Sequence, residues 1–147
     1  MPKVSFVIPA YNIESYIGRC IQSVKNQTFG DFEAIIVDDA STDSTPEKIV
    51  EAVGDDSRFK VVTHPTNQGL HLARKTAAAH TKGEWVFCLD GDDEVTADFL
   101  EQVVARIDQN PVDILHLGIT VIPENGVDST DATSFESYII QQSDFTQ

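Results

Sequence analysis

Positive charge is scarce in this 147-residue chain: ten Lys and Arg stand against 24 Asp and Glu, a formal net charge of −14. Nucleic acid is therefore disfavoured as a partner, because phosphate backbones are held by clustered Lys and Arg. Only two cysteines occur, Cys20 and Cys88, in apolar surroundings on different expected elements. They read as buried free thiols rather than as a disulfide framework. No run of eighteen apolar residues exists, so no segment is long enough for a transmembrane helix. The opening MPKVSFVIPAYN has a six-residue apolar core broken by Pro9, too short for a signal peptide, which points to a cytoplasmic location. Gly-x-Gly-x-x-Gly does not follow the first apolar run, and neither a Walker lysine motif nor a Ser or Cys nucleophile elbow occurs. Dinucleotide oxidoreductases and P-loop NTPases are thus left without support.

What is present alternates between two periods. VSFVIP (4–9), EAIIVD (33–38), KVVT (60–63) and WVFCL (85–89) are short apolar or β-branched runs and predict buried strands. Between them, Ile13, Ile17, Cys20, Ile21 and Val24 fall at helical spacing. ASTDSTPEKIVEAV predicts a helix capped by Thr45, with Pro46 at its first position and Glu47 favouring its dipole. Leu70 to His80 predicts an Ala-rich helix closed by Lys82-Gly83. Phe99, Leu100, Val103, Val104 and Ile107 mark another, stopped near Asn110-Pro111, and VDILHLGITVI (112–122) predicts a fifth strand. Such alternation with continuous apolar strands specifies an α/β fold, a mainly parallel sheet flanked by helices. In open sheets of this kind ligands bind beyond the carboxyl ends of strands, at the topological switch point.

Three of those ends are polar: PAYN after the first run, DDASTD after the second and DGDD after the fourth. Asp90, Asp92, Asp93 and Glu94 would repel one another without a cation among them, and Asp-x-Asp past a strand is suited to Mg²⁺ or Mn²⁺ shared with a substrate phosphate. Gly91, between the acids, leaves backbone room for a ligand. A calcium loop is a rival: from Asp90 as position one, Asp92, Glu94, Thr96, Asp98 and Glu101 take positions three, five, seven, nine and twelve. Val95 then stands where glycine is needed, and the preceding segment reads as strand. The paired acids Asp38-Asp39 suit a receiver-type phospho-acceptor, a second metal ligand, or a turn in which Asp43 or Ser44 caps the next helix. Tyr11 can stack on a base or pack on the sheet edge.

Taken in order, these pieces closely resemble the family 2 glycosyltransferases, inverting enzymes with the Rossmann-like, nucleotide-sugar-binding GT-A fold. VSFVIPAYNIESYIGRCIQSVKNQTFGDFEAIIVDDASTDST resembles that family's opening, and NQGLHLARKTAAAHTKGEWVFCLDGDDEV its second block, so the likeness spans about residues 3–105. Lys75 and Ala77 depart from the Asn and Gly usual in the helix block. The resemblance implies that Pro9, Ala10, Tyr11 and Asn12 border the nucleotide base, with Asp39 or its neighbour Asp38 hydrogen-bonding it. It implies that Asn67 and Gly69 shape the loop before Arg74, that Arg74 lies near the diphosphate, and that Asp90 and Gly91 lie near the ribose. Asp92 would hold a Mg²⁺ or Mn²⁺ bridging the diphosphate, with Asp93 in or beside its shell. A sugar, from a UDP-sugar in the commonest case, would pass to a hydroxyl of a glycan, lipid or protein acceptor.

The general base of such enzymes is an acid in the acceptor half, downstream of Gln147. Asp113, His116 and Glu124 do not match its motif. Residues 1–122 thus read as a nucleotide-sugar-binding domain and 123–147 as the start of an acceptor-side region or a loose tail, the whole being a C-terminally truncated donor portion. A non-catalytic nucleotide-binding or interaction module is the alternative. A sheet missing its last strands leaves an open edge, which predicts a homodimer. Full-length enzymes of this type often work at the inner face of the cell membrane.

Overall fold

In a computed structural model, which describes residues 1–109, 114–115 and 139–140, the first apolar run forms β1 (Val4–Ala10), buried at all seven positions. Next come α1 (Ile17–Lys25), β2 (Phe32–Asp38), α2 (Thr45–Val53), β3 (Phe59–Thr63), α3 (Leu70–Ala78), β4 (Trp85–Cys88) and α4 (Phe99–Gln109). The chain divides into two compact units, Met1–Glu101 and Gln102–Gln147. In the second, β5 (Ile114–Leu115) pairs antiparallel with β6 (Ile139–Ile140). The remainder of the strand expected over 112–122, and the expected domain boundary after it, lie outside the described residues.

In the first unit the sheet order is β3-β2-β1-β4 and every pairing is parallel. The chain therefore winds outward from β1 to β3 and returns to the other side of β1. That reversal puts the switch point between β1 and β4, where ligands bind in open α/β sheets. Alternation sorts the side chains onto two faces. Val7, Ile35 and Val37 pack against Ala73 and Ala77 of α3, whose small side chains let the helix lie close on β1 and β2. On the opposite face Phe6 meets Phe32 and Phe87 edge to face, each with centroids 5.7 Å apart, and Phe99 closes on Phe87 at 4.7 Å.

Four local expectations are corrected. Cys20 is buried, but Cys88 is exposed. Its register partner is Val7, so it faces the α3 side, where α3 packs mainly on β1 and β2. Thr45 does not cap α2: its hydroxyl accepts the Ile13 N–H at 2.8 Å, while Asp43 accepts the Thr45 N–H at 2.9 Å. Pro46 accordingly stands second, not first, in the helix. α3 stops at Ala78, before Lys82-Gly83. Gly83 instead allows a close approach to β1. Its N–H donates to Ser5 Oγ at 2.8 Å, and a Cβ would sit 2.7 Å from the Ser5 nitrogen.

Candidate functional site

The three polar strand ends meet in one cleft of about 390 Å³. Its floor is the end of β1, Pro9-Ala10-Tyr11. One wall is Asp39, Asn67 and Gly69, and the other is Asp90, Gly91 and Asp92. Nine of the thirteen site residues expected from sequence line it. Asn12, Asp38, Arg74 and Asp93 do not, and Ile13, Leu70 and Ala73 line it without having been expected.

Asn12 and Asp38 serve the loops themselves. Asn12, at φ 51°, donates its N–H to Ser41 Oγ and accepts the Thr42 N–H at 2.8 Å. Asp38 Oδ1 accepts the Ser41 N–H at 3.2 Å, a local turn bond. Glu14 and Asp43 cross-link the same two loops, Ser44 N–H to Glu14 at 2.8 Å and Glu14 N–H to Asp43 at 3.2 Å. The β1 and β2 ends are thus joined as one piece. The acidic loop is held from below: Gln27, 7% exposed, donates to the Thr96 carbonyl at 2.6 Å and accepts the Leu100 N–H at 2.9 Å.

Asp39 is 2% exposed, and its carboxylate accepts three donors. His64 Nδ1 lies 2.6 Å from Oδ1, the Gln68 N–H is shared by both oxygens at 2.9 and 3.1 Å, and the Gly69 N–H reaches Oδ2 at 2.7 Å. Burial pushes its pKa up, but these hydrogen bonds outweigh burial and hold it below the ordinary carboxylate value. Gly69 has φ 86° and ψ 160°, a conformation open almost only to glycine, which lets its N–H turn toward Asp39. No sequence signal marked His64, which falls just past the KVVT run.

Across the cleft, residues 90–93 form a turn closed by the Asp93 N–H on the Asp90 carbonyl at 2.9 Å. Gly91 lines the cleft, and a Cβ there would stand 2.8 Å from the Pro9 carbonyl oxygen and 2.6 Å from Ile13 Cδ1. The glycine lets the β4 end lie against the β1 end. The four acids divide. Arg74 pairs with Asp90 at 2.5 Å, and Arg19 lies 3.6 Å from Glu94. Among the described residues no ion pair reaches Asp92 or Asp93. Desolvation, with repulsion from Asp92 and Asp90, pushes the Asp93 pKa up. The calcium-loop arrangement does not form: a strand, β4, precedes the acids, and Glu101 accepts the Thr28 hydroxyl at 2.9 Å.

Residues 5–146 match the model of glycosyl transferase family 2. The chain belongs to that family. The family's GT-A fold recurs in solved structures similar to this chain. S. aureus TarS bound to UDP-GlcNAc aligns at TM-score 0.74 and 34% identity, over 81% of this chain and 34% of that one. The mannosyltransferase PcManGT from Pyrobaculum calidifontis, with GDP-Man and Mn²⁺, aligns at TM-score 0.73 and 25% identity, over 82% of this chain and 36% of that one. Among curated relatives, the chondroitin synthase of Pasteurella multocida is 41% identical over 101 residues, 69% of this chain. The Escherichia coli UDP-Glc:alpha-D-GlcNAc-diphosphoundecaprenol beta-1,3-glucosyltransferase WfgD is 33% identical over 124 residues, 84% of this chain. This chain spans 10% of the former and 48% of the latter. Among the described residues no helix is long and apolar enough to cross a membrane.

The donor chemistry fits the divalent cation implied by the family. Among the described residues no three His, Cys, Asp or Glu side chains form a cage. Asp92 and Asp93 are adjacent carboxylates without an ion-pair partner among those residues, and Asp92 lines the cleft. Such a pair suits Mg²⁺ or Mn²⁺, which complete their oxygen shell with water and substrate phosphates.

Proposed function

We propose that this chain binds a nucleoside diphosphate sugar with a divalent cation and forms the donor half of an inverting glycosyltransferase. One observation carries the reading: three polar strand ends converge on a single cleft at the β1–β4 switch point, with Asp92 on its wall and, among the described residues, no cationic side chain paired with it. Tyr11, 46% exposed at the mouth, offers its ring to the base. Asp39 accepts four contacts from three donors, and the longest, the 3.1 Å arm of the shared Gln68 N–H at Oδ2, is where an N–H of that base would enter. A base with such an N–H, uracil or guanine, fits, and a UDP-sugar is the favoured donor because uridine is the commonest nucleoside in the family. Asp90, fixed by Arg74, faces the ribose, and the guanidinium adds positive charge beside the diphosphate. A Mg²⁺ or Mn²⁺ held by Asp92, with Asp93 beside it, would neutralise the charge that develops on the diphosphate as the C1–O bond breaks.

No general base for the acceptor hydroxyl is assigned among the described residues. Asp113, His116 and Glu124 lie outside the described residues. Exposed Val86 and Cys88 on β4, an edge strand among the described residues, support pairing between copies of this chain. Work at the inner face of the cell membrane belongs to the same reading of the full-length protein.

Calorimetric titration with UDP tests the donor-site reading. Binding that strengthens at least about tenfold on adding Mn²⁺, and loses that gain in Asp92→Asn, supports it. A folded sample that binds no UDP, or binds it equally without metal, refutes it.

A further inference from the structure

His64 lies in none of the three polar strand-end loops, yet it is 7% exposed and touches both β2 and α3. It is the residue after β3, and its N–H donates to the Asp38 carbonyl at 2.9 Å, so its backbone is fixed to the neighbouring strand. Its ring bridges two groups: Nδ1 lies 2.6 Å from Asp39 Oδ1, and Nε2 lies 2.9 Å from Thr76 Oγ1 in the second turn of α3. An ionised carboxylate only accepts hydrogen bonds, so the hydrogen sits on Nδ1. With the ring neutral, Nε2 accepts the hydrogen bond of the Thr76 hydroxyl. Helix, imidazole and carboxylate form one chain of hydrogen bonds.

That chain ends at the cleft. His64 Nδ1 and the Gly69 N–H take one oxygen each and the Gln68 N–H is shared by both, so Asp39 offers no donor, and a base N–H would take the place of the longer, 3.1 Å arm of the Gln68 contact at Oδ2. Uracil, thymine and guanine carry an imide N–H on their pairing edge. Cytosine and adenine carry a bare ring nitrogen there, which would set lone pair against lone pair. We propose that His64 is a positioning residue that fixes Asp39 as a pure acceptor and thereby selects nucleotides whose base bears an imide N–H. The inference rests on the nucleotide-binding reading of the cleft.

Titration of the 147-residue chain with UDP and with CDP, both with Mn²⁺, tests it. The wild type is expected to bind UDP at least about tenfold more tightly than CDP, the worth of one charge-assisted hydrogen bond. His64→Ala weakens UDP by about tenfold and leaves CDP nearly unchanged, so the ratio collapses. In His64→Asn the amide nitrogen takes the place of Nδ1, and the ratio is retained. Thr76→Val, which removes only the outer link, narrows the ratio by a smaller factor and serves if His64→Ala does not fold. A folded His64→Ala or Thr76→Val variant with the wild-type ratio, or His64→Asn behaving like His64→Ala, overturns the proposal. A wild type that binds neither nucleotide overturns instead the functional reading beneath it.

Discussion

Arg74 donates from Nη2 to Asp90 Oδ1 at 2.5 Å, so α3 is tied to the end of β4, on the far side of β1 from β2. Two residues further along α3, Thr76 holds His64 and through it Asp39 at the end of β2. One helix therefore braces both walls of the cleft, and its packing on β1 and β2 sets their separation.

Removing the brace at one end affects ligand more than fold. Arg74 and Asp90 are 33% and 41% exposed, so solvent screens the pair and its loss costs at most about 1 kcal/mol of stability. Arg74→Met should leave the urea midpoint nearly unchanged. UDP affinity with Mn²⁺ should fall by about tenfold, because Asp90 is left uncompensated beside Asp92 and the diphosphate loses a cation. Equal losses in midpoint and affinity would show a structural role alone.

Gly91→Ala should destabilise the first unit by about 1–3 kcal/mol, the range for overpacking a tight contact. Its Cβ meets the Pro9 carbonyl, a backbone atom that cannot rotate away. Denaturant unfolding measures this. A variant as stable as the wild type would mean that the β1 and β4 ends are not in contact.

The thiols should differ sharply. Burial, aided by Asp93, Asp92, Glu94 and Asp90, pushes the Cys20 pKa to about 12, so almost no thiolate forms at neutral pH. Cys88 is exposed. A chromogenic disulfide reagent should titrate one thiol in the native chain and two after unfolding; two fast thiols in the native state would contradict the packing of α1 under the acidic loop.

Asp39 adds a pH-dependent share of stability. Its folded pKa is held below the ordinary value of 3.8. The unfolded state therefore binds the proton first on acidification, and the stabilisation is full above that value and lost as the pH falls through the lower, folded one. At neutral pH Asp39→Asn should cost about 2–4 kcal/mol, because three donors lose a charged acceptor. The gap between wild type and variant, measured by urea unfolding, should hold down to about pH 5 and shrink below about pH 4. A gap that widens in acid would contradict the direction of the shift.

Much of the fold was legible because each strand is a short apolar run and each helix keeps its period, as Ile17, Cys20, Ile21 and Val24 do. The polar strand ends were legible for the same reason: acids and Asn that interrupt such runs have nowhere to go but the loops. What escaped the sequence depends on distance between elements. Thr45 looks like a cap until α2 is placed beside Ile13. Nothing local in the sequence shows how closely Gly91 lies against the Pro9 carbonyl. Cys88 reads as buried until α3 is seen to pack mainly on β1 and β2. His64 carries no local pattern at all; only the strand order brings it to Asp39.

The central claim is that Asp92 and a nucleotide diphosphate together hold a divalent cation at the β1–β4 switch point. Crystals grown with UDP and MnCl₂, with diffraction recorded at the manganese absorption edge, test it directly. One anomalous peak is expected, within ligand distance of the Asp92 carboxylate and a diphosphate oxygen. Ordered UDP in the cleft with no peak at Asp92, or a peak elsewhere on the protein, would contradict it.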